Sequence, residues 1–253
     1  MALLKRFVSK ASVLFLLVAL CYSAPSYISS DDKLEFRDDL IEGDIVPNPE
    51  SRNGIRGDQY RWANRRVPYV LDPNFNSSEI QKILLGWAEI ENTTCIDLGE
   101  RLSQDTDYIF IEKGAPESGC FSSVGRRGGR QVINFEPPCI NRHGTIVHEM
   151  LHAIGFYHEQ SRPDRDDYVT VVWDKIEPGK EHNFNKYTEE QVDTMGTPYD
   201  YGSVLHYSGF GFSIDGSATI VPKDPNAEIG QRIRISDIDA YKVNVMYNCT
   251  SFL

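Results

Sequence analysis

The chain has 253 residues, with 26 Lys+Arg against 37 Asp+Glu and a formal net charge of −11. With 40% hydrophobic and 25% charged residues it is a globular chain, which excludes a disordered or fibrous one. The acidic balance excludes a broad electrostatic grip on nucleic acid or on an anionic membrane surface, so neither is expected as a partner.

Lys5 and Arg6 precede the apolar run 11–21, and small residues at Cys21 and Ser23 offer a cleavage position before Ala24. This pattern predicts a secretory signal peptide over 1–23. The run is shorter than the roughly 20 residues a membrane span needs, so no membrane anchor is expected and the chain reads as secreted and extracellular. Loss of Cys21 leaves Cys95, Cys120, Cys139 and Cys249. Four cysteines in an exported chain predict two disulfides, with three pairings open. Export also makes Asn76, Asn92 and Asn248 glycosylation candidates; Asn248 is the weakest, because it sits beside Cys249.

Residues 24–52 carry eight acidic side chains against three basic ones and few apolar residues. Such a stretch cannot bury enough surface to fold alone. It is read as a propeptide that folds against its own domain, with a disordered acidic tail as the alternative. From Asn53 the pattern is globular. Residues 67–71 predict a strand, with Pro68 suited to its start or to a sheet edge. Residues 78–92 predict an amphipathic helix, capped by Ser78 with Gln81 completing a capping box and with Ile80, Ile83, Leu84 and Trp87 at helical spacing. Strands are predicted over 108–111 and 131–135, with a Gly/Arg/Ser loop over 119–130. A helix over 142–154 should stop at Gly155. An extended segment follows at 168–173, and a closing helix over 236–247 has Ser236 as its cap and Asp239 three residues on. No repeat and no second domain is expected after Cys249. Arg126, Arg127 and Arg130 lack the spacing and the lysine of a phosphate loop, and His143, His182 and His206 are read as structural or solvated.

Chemistry concentrates in 148–158. His148 and His152 are four apart, so on a helix both imidazoles project from one face and can share an ion. Glu149 is placed to reach a metal-bound water without being a ligand. Gly155 permits the positive φ that ends the helix sharply and lets the chain return His158 as a third ligand. Three neutral nitrogens suit one Zn²⁺ and leave a position open for water, the catalytic arrangement.

The segment HEMLHAIGFYHEQSRPDRDDYV resembles the zinc signature of the astacin family of metzincin metallopeptidases. CFSSVGRRGGRQ, YDYGSVLHY, TIVPK and ISDIDAYKVNVMYNC extend the resemblance from about Asn53 to Cys249. It implies an α+β fold with an N-terminal twisted mixed sheet and two long helices. An irregular C-terminal subdomain ending in a helix would follow, with the zinc on the floor of a cleft between the halves. It further implies that His148, His152 and His158 bind zinc, that Glu149 is the general base, and that Tyr207 is an additional resting ligand able to bond the oxyanion. Read alone, Tyr207 would be a core aromatic. The disulfides so implied are Cys95–Cys249 and Cys120–Cys139.

Leu205 stands where the family's turn beneath the zinc has Met, a substitution that nearly conserves volume. The segment Ile41-Glu42-Gly43-Asp44 resembles the family's latency motif, with Asp44 capping the zinc and Ile41 where Phe is usual. The resemblance implies activation by a trypsin-like protease between Arg52 and Asn53, the new amino terminus joining Glu159. The expectation is therefore a monomeric zymogen, with signal peptide 1–23, propeptide 24–52 and catalytic domain 53–253, that cleaves protein or peptide substrates. A silent binding protein on the same scaffold and a zinc enzyme acting on a non-peptide bond are the competing classes.

Overall fold

The computed structural model describes residues 36–47 and 57–253. The expected signal peptide, residues 24–35, and Arg52 and Asn53 lie outside the described residues. Strand β1 (Arg66–Leu71) leads into helix α1 (Ser77–Thr93), then β2 (Asp97–Glu100), β3 (Tyr108–Lys113), β4 (Cys120–Ser122) and β5 (Arg130–Phe135). These strands form one sheet in the order β2-β1-β3-β5-β4. Four run parallel, and β4 pairs antiparallel to β5 at the edge, with Cys120 opposite Phe135. Pro68 lies on an interior strand, opposite Gly99, and pairing with β3 starts one residue later at Tyr69. The start of the strand, not a sheet edge, accommodates its missing N–H.

Helix α1 begins slightly earlier than the pattern predicts. Asn76, not Ser78, is the cap: its Oδ1 accepts from the N–H groups of Ser78 and Glu79. Glu79, not Gln81, closes the box by accepting from Asn76 N–H. An amide cap is as good as a hydroxyl, and the glutamate also pairs with Lys113 at 2.8 Å. The buried stripe of α1 is Ile83, Trp87 and Ile90, with Ile80 half-buried, while Leu84 turns outward and is 40% exposed. Ile83, Trp87 and Ile90 pack with Val67, Ile109, Ile111, Ile133 and Phe135 of the sheet in the main core. Each contributes about 1.5–3 kcal/mol on full burial.

A short turn of helix, α2 (Pro137–Ile140), precedes α3 (His143–Ile154), which is buried from Gly144 onward. The chain then becomes irregular. Strands β6 (Val169–Val171) and β7 (Ile220–Pro222) pair antiparallel, and helix α4 (Asp237–Met246) closes the fold with the expected Ser236–Asp239 capping box. Val169, Ile176, Phe184, Tyr199, Tyr207, Phe212 and Ile220 make a second core in this half. The architecture is thus the expected α+β one. Three strands went unpredicted: β2, β4 and β7. Each is three or four residues long and is held by pairing, not by a hydrophobic alternation of its own. Among the described residues no helix is long and apolar enough to cross a membrane.

Segment 36–47 lies against the sheet edge. Ser122 N–H donates to Asp44 O and Val46 N–H donates to Ser122 O, both at 2.9 Å, so Ile45 runs parallel to β4. That bridge carries Asp44 toward α3.

Candidate metal centre

Helix α3 presents His148 and His152 with Nε2 atoms 3.0 Å apart. Gly155 ends the helix at φ +138°, where a side chain would be strained, and its N–H closes onto Leu151 and His152 carbonyls. The remaining terminal carbonyls are also satisfied: Trp62 Nε1–H donates to Ala153 O and Tyr247 hydroxyl to Ile154 O. A helix end with no orphaned acceptor holds its two imidazoles rigidly.

Each ring then has its proton fixed by an outer partner. His148 Nδ1–H donates to Val204 O at 2.8 Å, and His152 Nδ1–H to Phe156 O at 2.7 Å. His158 Nδ1–H donates to the Glu42 carboxylate at 2.7 Å. A carbonyl or an ionised carboxylate only accepts, so these contacts place a proton on each Nδ1 and turn the Nε2 atoms inward. Asp44 faces all three: Oδ2 lies 2.9 Å from His148 Nε2 and 3.1 Å from His158 Nε2, and Oδ1 lies 3.6 Å from His152 Nε2. The four donor atoms fall within 4.8 Å of one another, and all four residues are buried.

Bare nitrogens and a carboxylate at these distances repel one another unless a proton or a cation lies between them. Asp44 Oδ1 is buried and has no hydrogen-bond partner in the protein, which leaves it for an ion. Burial raises the Asp44 carboxyl, but His158, His152 and His148 overcome it and hold the group well below the usual carboxylate range. Burial and Arg232 lower His148 to about 4, while Asp44 and Glu42 raise His158 against its burial to about 9. The pocket thus draws in one positive charge. Three imidazole nitrogens and one carboxylate oxygen fit zinc in tetrahedral coordination.

Glu149 is fully buried beside His148. Tyr207 is also fully buried; its ring centroid lies 4.7 Å from that of His158, and its hydroxyl donates to Glu42 O at 2.6 Å. Beneath the centre, Ser203 Oγ–H and Val204 N–H both donate to Asp239, tying the turn that holds Leu205 to the first turn of α4. His206 is structural, as expected. Burial lowers it to about 4, its Nδ1–H donates to Tyr207 O, and its Nε2 accepts from Tyr199 hydroxyl.

Glu159 is buried and occupied: Oε2 meets Lys242 Nζ at 2.5 Å, and Oε1 accepts from Arg162 and from Asp200 N–H. A cavity lined by Phe156, Tyr157, Tyr187, Met195 and Lys242 adjoins it. Cys95–Cys249 and Cys120–Cys139 are the two disulfides. Asn76, Asn92 and Asn248 are all exposed. Arg126 pairs with Asp107 and donates to Gln59 and Arg61 carbonyls, and Arg130 covers the Phe110 ring, so this loop is structural. Sequence reasoning missed Glu42, Val204, Phe156 and Asp239. Phe156 lies four residues from His152, inside the motif, and Asp239 and Glu42 stand in a capping pair and in the latency motif, but none of these spacings marks a contact to the centre; Val204 and Glu42 reach it only through the folded chain.

A buried two-histidine helix turn, a third histidine beyond a reversing glycine, and a carboxylate closing the set define a zinc metallopeptidase frame. The family model for Astacin, a peptidase family, matches residues 54–248, and the chain belongs to the astacin family. It is 44% identical over 201 residues to zinc metalloproteinase nas-13 of Caenorhabditis elegans, covering 79% of this chain and 44% of that protein. It is 46% identical over 218 residues to meprin A subunit beta of Rattus norvegicus, covering 85% of this chain and 30% of that protein. The match thus spans less than half the length of these curated relatives. High choriolytic enzyme 1, a hatching enzyme zinc-protease from Oryzias latipes, superposes with a TM-score of 0.68 at 37% identity, covering 75% of this chain and 93% of that one.

Proposed function

We propose that the chain is a secreted zinc endopeptidase made as a zymogen and held latent by Asp44. The observation that carries this reading is the Asp44 carboxylate, delivered by segment 36–47 into the position that water would otherwise take among His148, His152 and His158. Zinc bound there supplies a Lewis acid that acidifies water and polarises a carbonyl. Glu149 takes the proton of the attacking water on its carboxylate and passes it to the leaving amine nitrogen. Tyr207, released from Glu42 O, donates its hydroxyl to the developing oxyanion. An extended substrate uses the backbone of Ser122 at the free edge of β4, which segment 36–47 covers in the latent state.

In this scheme residues 1–23 are removed on export and residues 24–52 are the propeptide. A trypsin-like protease cuts between Arg52 and Asn53. The new amino terminus enters the cavity beside Glu159, displacing part of the contact that Lys242 and Arg162 now make. Domain 53–253 is a monomer, glycosylated at Asn76, Asn92 or Asn248, that acts on protein or peptide substrates.

The test is secretion of the full chain, amino-terminal sequencing before and after trypsin, zinc content, and casein hydrolysis. Expected are one zinc per chain, a terminus at Asn53 and turnover only after trypsin. Zinc-loaded, processed protein without turnover, or turnover unchanged by Glu149→Ala, overturns the reading.

A further inference from the structure

The pro-segment does more than place Asp44. Arg37 N–H donates to Gly43 O at 2.8 Å, which folds the segment back on itself and returns Phe36 to the cleft. Arg37 Nη1 anchors the turn by donating to Ser118 O at 2.7 Å. The Phe36 ring lies edge-on to Tyr207 with centroids 5.0 Å apart, and against Phe212 at 4.4 Å. Phe184 stands behind both, 5.9 Å from Tyr207 and 6.1 Å from Phe212. The slot therefore has two aromatic walls, Tyr207 and Phe212, with Phe184 behind them. Its third side is Gly211, where an added Cβ would lie 3.0 Å from Phe36 Cζ and 3.3 Å from Tyr207 Cδ2. Gly211 has no left-handed φ to explain it. What it provides is clearance for a ring.

Tyr207 is shared between this slot and the metal centre, its other neighbour being His158 at 4.7 Å. When the pro-segment leaves, an aromatic-walled recess opens one side chain away from the site of hydrolysis. The walls carry no charge, and residues 208–216 contribute no Lys or Arg, only Asp215. An acidic side chain has nothing to meet there; a flat apolar one recovers the edge and face contacts that Phe36 makes.

We infer that Gly211, Phe212 and Tyr207 form a specificity subsite for an aromatic or large aliphatic side chain adjacent to the scissile bond, and that Phe36 occupies it in the latent chain. The inference rests on the endopeptidase reading above and names the side-chain class that the enzyme selects.

The full chain processed with trypsin is given a peptide library, and the cleavage products are sequenced by mass spectrometry. Enrichment of Phe, Tyr or Leu over Ala at one position beside the cut is expected, by about tenfold. Gly211→Val should abolish that ratio and Gly211→Ala should reduce it. The ratio is read within each variant, so a change in total activity does not affect it. A wild type with no such enrichment, or a Gly211→Val enzyme that keeps it, overturns the inference. Processed protein that cleaves nothing overturns the endopeptidase reading instead. The slot is then judged in the intact chain by hydrogen exchange at the Arg37 amide, which should quicken about tenfold in both Phe36→Ala and Gly211→Val. Unchanged exchange in either variant overturns the assignment of Phe36 to the slot.

Discussion

Asp44 is held in the cleft by charge, with its backbone fixed to Ser122 and its carboxylate between imidazoles. Removing that carboxylate leaves the segment docked by its backbone, by Glu42 on His158, by Arg37 on Ser118 O and by the Phe36 ring. In the full chain, Asp44→Ala should raise casein hydrolysis before trypsin treatment by about 10- to 100-fold, the equivalent of about 1.5–3 kcal/mol for a bond to a charged group. The assay is the ratio of activity before and after trypsin. Leu205 lies in the main core, 4% exposed, in the turn beneath the centre, and its carbonyl accepts from Glu159 N–H. Backbone contacts hold the turn whichever apolar side chain fills the space. Leu205→Met should therefore change the free energy of urea unfolding by less than about 1.5 kcal/mol.

Among the secondary-structure elements, α3 and α4 do the positioning. Helix α3 supplies two imidazoles of the candidate metal centre through its own period. Helix α4 supplies none, yet Asp239 closes its capping box by accepting from Ser236 N–H and at the same time accepts from Ser203 and Val204 in the turn whose carbonyl orients His148. Asp239→Ala should lower unfolding stability by about 3 kcal/mol, since a cap and buried hydrogen bonds are lost together. Zinc retention under a competing chelator should fall with it, because His148 loses a fixed partner. Retained affinity would show that Val204 is held by other means, such as the bond from Arg232 to its carbonyl. Helices and long strands were legible from periodicity and caps, whereas β2 and β4 were not. Sequence DLGE pairs because β1 offers a partner, and CFS because β5 does. The shifted cap at Asn76 has the same origin: of two competing boxes, the one whose glutamate also reaches Lys113 prevails.

For the molecule as a whole, Cys95–Cys249 ties the end of α1 to the end of α4 across 154 residues. A loop that long restricts the unfolded chain strongly, so replacing both cysteines by serine should cost about 4 kcal/mol in urea unfolding. A loss below about 1 kcal/mol would mean that residual structure already restrains the unfolded ends. The inner metal ring could be read from the sequence because its histidines fall between 148 and 158, where helix geometry and one glycine suffice to converge them. The family and the disulfide pairs implied by the resemblance came from the same string of residues, as did Asp44 as a carboxylate expected near the histidines. Phe156, whose carbonyl meets His152, lies in that same segment, but the rest of the outer ring could not be read that way. Val204 is 56 positions from His148, and Glu42 is 116 from His158, so their meeting depends on how the two halves close. The same holds for the slot that Phe36 fills, whose walls come from residues 207, 211 and 212, far from it in sequence. Local order follows from period, caps and turn residues, which act within a few positions. The proton positions on His148 and His158, the engagement of Tyr207 by Glu42 and the shape of the side-chain slot follow from long-range packing, which only the folded chain supplies.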